Sequence, residues 1–182
     1  MKLFKAVLII FTLLLISNNF LLIANDSAKQ DDPQSKKTWA DFRQAKAEAE
    51  DAKQGGNLET ITAKLLVVAD ISTALDRPDI AAWQYNNIAY YSIDEFKKKT
   101  DYANLMAKIE GSMDKKEKSD LIESAKKTLK GNISLLEKAK EYLEKAKGLD
   151  DSVSADKKDE SRTNAISNNL NYVEWVQKFI AD

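Results

Sequence analysis

The chain of 182 residues contains no cysteine and no histidine, and only five glycines and two prolines. Without cysteine there is no disulfide framework, no thiol nucleophile, no thiolate metal site and no lipid-modified N-terminal cysteine. Without histidine the usual general base and the commonest transition-metal ligand are gone. Only carboxylates, lysine, serine and tyrosine are left to do chemistry, so the expectation is that this is not an enzyme and carries no cofactor or metal. Charge of one sign is also lacking, since 28 basic residues face 29 acidic ones. Removing residues 1–24 takes Lys2 and Lys5 away and leaves 26 basic against 29 acidic residues. A slightly acidic body has no cationic footprint for a phosphate backbone, so no nucleic-acid partner is expected.

What is present is an abundance of Ala, Leu, Lys and Glu. With so little Gly and Pro to interrupt them, these residues favour long helices. The N-terminus has a character of its own. Lys2 and Lys5 precede an apolar run from Ala6 to Ile16, broken only by Thr12, and a second from Phe20 to Ala24. A cationic start followed by an apolar stretch is the layout of a secretory signal peptide. A cut after Ala24 meets Leu22, and a cut after Ala28 meets Asp26, where small residues are preferred. Counted straight through, residues 6–24 are close to the length that spans a bilayer. Residues 1–24 therefore read as a signal peptide or, if uncleaved, as an N-terminal anchor and the chain's sole membrane contact. In both cases the body is exported, to the periplasm or cell envelope. Residues 25–37 are polar, contain Pro33 and lack periodicity, which predicts a flexible linker.

Residues 38–182 are punctuated like a set of helices. Thr38 is an N-cap candidate for a helix to about Gln54, stopped by Gly55-Gly56-Asn57. A second helix from about Leu58 to Leu75 carries Ile61, Leu65, Val68 and Ile71 at helical spacing. Asp76-Arg77-Pro78 should end it, with Asp79 capping a third helix from Ile80 to about Lys99. A fourth covers Tyr102 to Ile109. The fifth and longest is expected from about Asp114 to Lys147, where Ile122, Leu129, Leu136 and Leu143 recur every seven residues. Ala125, Asn132, Ala139 and Ala146 fall between them, a 3-4 alternation that marks a packing seam. Gly131-Asn132 kinks or divides this helix, and Gly148 is its expected C-cap. A loop over residues 150–156 precedes a last helix from about Lys158 to Ile180. No segment alternates with the period of a strand.

Asn86-Asn87-Ile88-Ala89-Tyr90-Tyr91 is echoed 82 residues later by Asn168-Asn169-Leu170-Asn171-Tyr172-Val173. Ala139-x-x-x-Leu143-x-x-Ala146, followed by Leu149-Asp150-Asp151, resembles the second helix of a tetratricopeptide repeat, with Asp151 where Pro usually stands. Tyr85-Asn86-Asn87-Ile88-Ala89 resembles a first helix of the same family, although no 34-residue period runs through the chain. The resemblance implies an all-α fold of antiparallel helical hairpins, a degenerate tetratricopeptide-like array of about five to six helices. It also implies a concave groove lined by the first helix of each pair. If Ile88 and Ala89 face the partner helix, Trp83, Asn86 and Tyr90 share the opposite face. Asn168, Tyr172 and Trp175 occupy the equivalent face of the last helix. Amides can bond a ligand's backbone, and Tyr and Trp supply rigid contact area. Read instead as core, the same aromatics would fill the interior.

Other motifs carry less. Ser124-Ala125-Lys126-Lys127 matches S-x-x-K, but the K-T-G element that completes such a site is absent. Residues 150–156 suggest a calcium loop but lack the Gly and the bidentate Glu that it requires. The basic residues with which some tetratricopeptide proteins hold a terminal carboxylate are not evident. The sequence thus predicts a protein–protein interaction module, a scaffold or adaptor. The alternative is a structural subunit of an envelope assembly, packing through the seam of residues 122–146.

Overall fold

The computed structural model describes residues 36–182; the expected signal segment and nearly all of the linker lie outside the described residues. Seven α-helices are present among them and no strand, so the fold is all-α. Thr38 caps α1 (Trp39–Gly55) through a full capping box, its hydroxyl accepting from the Asp41 N–H while the Asp41 carboxylate accepts from the Thr38 N–H. Asn57 caps α2 (Leu58–Ala74) by accepting from the Thr60 N–H. These side chains satisfy amide groups that a helix start leaves unpaired. Two residues join α1 to α2, and such a short connection forces an antiparallel hairpin. The Glu48–Lys64 ion pair bridges the two helices.

The third helix begins differently from its expected start. Pro78 lies inside α3 (Pro78–Thr100) at its first turn, where its fixed φ and missing N–H are harmless. Asp79 is not the cap. It is clamped by Arg77 through two hydrogen bonds of 2.8 and 2.6 Å, and the Arg77 guanidinium also lies over the Trp39 ring. At the far end Asp101 takes a left-handed conformation, φ +48°, which turns the chain into α4 (Tyr102–Gly111).

The expected long helix is two helices. Gly131 and Asn132 separate α5 (Lys115–Lys130) from α6 (Ile133–Ser152), which brings the count to seven rather than five or six. Gly148 does not end α6, which continues one more turn to Ser152. A 3₁₀ turn at Ala155–Lys157 then leads to Asp159, the cap of α7 (Glu160–Ala181).

The seam is buried along most of its length. Ala125, Leu129, Leu136, Ala139, Leu143 and Ala146 are all fully enclosed, while Ile122 at its start is only half-buried. The partner that matters most is α3, which packs more extensively against α6 than any other pair of helices. One face of α3 places Ala82, Ala89, Ile93 and Phe96 in a core shared with α5, α6 and α7. Another places Ile88 in a second core with Ala45, Ala49, Ile61, Leu65 and Val68 of α1 and α2. Tyr85 and Tyr142, stacked at 6.1 Å, lie at the join. The pairs Lys140–Glu174 and Asp150–Arg162 show α6 and α7 to be antiparallel.

The turn into α7 is fixed by a buried ion pair. Arg162 Nε donates to Asp150 Oδ1 at 2.6 Å, with both side chains under 5% exposed. The Thr163 hydroxyl donates to Oδ2 at 2.6 Å, Arg162 also donates to the Lys157 carbonyl, and Lys158 donates to the Asp150 carbonyl. Asp150 thus joins the two helices. Burial alone would push its carboxyl up, but the Thr163 and Arg162 hydrogen bonds, with the Arg162 and Lys158 charges, outweigh it and hold the group below the usual carboxylate range. Asp150→Ala leaves a buried guanidinium without its counter-charge and should cost about 3–5 kcal/mol at neutral pH. A depressed folded pKa contributes stability that is present above the unfolded value and lost as pH falls through the folded one. The gap between wild type and variant, read by urea unfolding, should therefore narrow below about pH 4; a gap that is constant with pH contradicts the role assigned to this carboxylate.

Candidate functional site

The two echoed segments lie side by side. Asn169 Nδ2 of α7 donates to Asn86 Oδ1 of α3 at 3.0 Å. Further along both helices, Lys97 places its ammonium 4.4 Å from the centre of the Tyr172 ring. Because both sequence numbers rise together, α3 and α7 run parallel. Between them lies an open groove of about 410 Å³, lined by Trp83, Asn86, Asn87, Tyr90, Ala165, Asn168 and Asn169. An adjoining hollow of about 160 Å³ continues it past Tyr90 to Ile93, Asp94, Lys97 and Tyr172.

Of the six residues marked from sequence, Trp83, Asn86, Tyr90 and Asn168 share the groove, and Tyr172 lies in its continuation. Trp175 does not join them. One turn beyond Tyr172, it is half-exposed, stacked on Phe179 at 5.7 Å, and lines neither hollow. Trp175 thus lies outside the groove although it shares an i, i+4, i+7 face with Asn168 and Tyr172; the α7 residues at the groove are Ala165, Asn168 and Asn169, with Tyr172 in its continuation. Asn169 could have been found from Asn87, its counterpart at the 82-residue offset, which lines the same groove.

The six differ in how firmly they are held. Asn86 is 4% exposed and Tyr90 is 55% exposed, with its ring edge-on to Tyr91. Trp83 is half-buried. Tyr172 is committed to the interior on one side, its ring edge-on to Tyr102 at 5.8 Å and its hydroxyl enclosed without a hydrogen-bond partner. Burial, reinforced by the Tyr102 phenol, pushes the Tyr172 phenol far above its ordinary range, so it stays neutral. The Asn86 amide nitrogen is without a hydrogen bond among the described residues, although its oxygen is engaged. Asn87, Asn168 and the Asn169 oxygen also line the groove and make no side-chain hydrogen bond among the described residues.

A second hollow, about 590 Å³, lies between α2, α3 and α6, where Leu58, Ala63, Leu66 and Leu135 alternate with polar residues such as Glu59, Lys138 and Glu141. Among the described residues no three carboxylates are grouped to hold a metal ion, and no helix is long and apolar enough to cross a membrane.

No protein-family model matches the chain, and neither a curated protein nor a solved structure matches it.

The Asn86–Asn169 bond should show as a coupling of about 0.5–1.5 kcal/mol in a double-mutant cycle of Asn86→Ala and Asn169→Ala followed by urea unfolding. Tyr90→Ala should change stability by no more than about 0.5 kcal/mol, as a surface substitution does. Zero coupling, or a large loss at Tyr90, would show that the groove is built otherwise.

Proposed function

We propose that this chain is an exported protein–protein interaction module, a non-catalytic scaffold or adaptor that works in the periplasm or cell envelope. Its body acts as a degenerate tetratricopeptide-like array in which α3 and α7 serve as first helices, with α4 and α5 inserted before α6. The observation that carries this reading is the groove between α3 and α7. Four asparagine amides, with one hydrogen bond between them, lie between the half-buried Trp83 and the exposed Tyr90. Amides that could have paired with each other or with backbone groups are instead left facing an open channel. An amide that opens onto the groove keeps its donor and acceptor capacity for a partner's backbone. Rigid aromatic surface beside unsatisfied polar groups is the composition of binding hot spots.

The alternative, a structural subunit packing through the seam of residues 122–146, has lost most of its surface. Ala125, Leu129, Leu136, Ala139, Leu143 and Ala146 are consumed within the chain's own core.

A photo-crosslinking amino acid placed at Tyr90 of the full chain, in its native cell, should yield a discrete protein adduct identified by mass spectrometry. The same amino acid at exposed Lys127 of α5 should not. Identical adducts from both positions, or none from Tyr90, contradict the proposal.

A further inference from the structure

We infer that the groove between α3 and α7 selects an uncharged, extended polypeptide segment and rejects segments that carry a charge at the groove's centre. This rests on the reading of the groove as the partner site and names the chemistry of the partner. In a chain with 31% charged residues, residues 80–93 of α3 and 163–173 of α7 contain no Asp, Glu, Lys or Arg. The fold lays these two stretches against each other, so every side chain lining the groove is neutral.

The charges that bound the two stretches are already taken. Asp79 is held by Arg77 at 2.6 Å, and Asp94 by Lys98 at 2.7 Å. Arg162 is held by Asp150 at 2.6 Å, and Glu174 stands 3.8 Å from Lys140. Lys97, at the far end, sets its ammonium on the Tyr172 ring. A charged side chain seated in the groove would give up part of its hydration and find no counter-ion among the lining residues, which disfavours it. The groove therefore discriminates by exclusion as well as attraction.

What it offers is matched to a peptide. An amide side chain has the donor and acceptor of a peptide group. Asn86, 4% exposed as a residue, lines the groove; its oxygen accepts from Asn169, and its amide nitrogen has no hydrogen bond among the described residues. Trp83 and Tyr90 are two helical turns apart, about 11 Å at 1.5 Å per residue. That spans about three residues of extended chain, so the excluded positions form a short central stretch.

The test uses the full chain in mild detergent against an array of synthetic dodecapeptides. Half contain no Asp, Glu, Lys or Arg, and each has a mate with Lys or Glu at a central position; neutral oligosaccharides form a second array. Binding should be confined to neutral peptides, and a central charge should weaken it by about tenfold or more. The dissociation constant should change by less than about twofold between about 50 and 500 mM NaCl, because no ion pair is there to be screened. Asn86→Ala should weaken binding by about tenfold, with circular dichroism confirming the fold. Tyr90→Lys, at an exposed position, should gain affinity for the Glu-bearing mates and acquire salt dependence. Equal binding of charged and neutral peptides, still lost in Asn86→Ala, overturns the selectivity but leaves the groove as the binding site. Peptide binding indifferent to both substitutions overturns the groove itself. Capture of oligosaccharides in place of peptides overturns the ligand class, and the absence of any bound probe overturns the inference.

Discussion

Helix α3 has to serve two cores at once, and the rest of the body is arranged around that constraint. Ala81, Ala82 and Ala89 are fully enclosed, and their small side chains let neighbouring helices come close. Ile88 fills one interior while Phe96 fills the other. With both flanks committed, α3 can leave only a narrow strip toward solvent. Along much of that strip α7 lies parallel to it, and the groove is what remains open between them. The surface that can bind is thus fixed by the packing that stabilises the fold. Large apolar side chains on α3 face inward, and amides and the Tyr90 ring are left at the opening.

The same geometry gives the charge distribution its meaning. Elsewhere the helices carry i, i+3 and i, i+4 ion pairs such as Lys126–Glu123 and Lys147–Asp151, of the kind that contributes little to stability. A partner docking there would have to strip water from charges for little return. Around the groove the charges stop, and those at the margins are tied within the chain. Its neutrality is a property of two helices distant in sequence and becomes visible only when they are set side by side.

Much of the fold was legible in the sequence because it was written locally. Thr38 announced a helix start by the reach of its own side chain, Gly55-Gly56-Asn57 marked a stop, and Gly131-Asn132 marked the division between α5 and α6. The heptad spacing of Leu129, Leu136 and Leu143 identified residues that are indeed fully enclosed. The errors were of another kind. Gly148 was read as a stop, yet a lone glycine costs a helix only about 1 kcal/mol, and α6 has Asp150 to anchor it one turn later. Asp76-Arg77-Pro78 does end α2, but Asp79 was read as the cap of the next helix, which starts instead at Pro78, in the first turn where a helix tolerates proline. The site was half legible: Asn86, Tyr90 and Asn168 were chosen by their spacing on single helices. The role of Asn169 and the exclusion of Trp175 depend on how α7 is rotated against α3, and the Asp150–Arg162 pair, which no local pattern announces, helps to hold that helix in place.

Hydrogen–deuterium exchange on the full chain, free and bound to the protein captured at Tyr90, tests the central claim most directly. The account predicts slowed exchange over residues 80–93 and 163–173, with α5 and the hollow between α2 and α6 unchanged. Protection confined to α5 or to that hollow, with the α3–α7 groove exchanging as in the free chain, would contradict it.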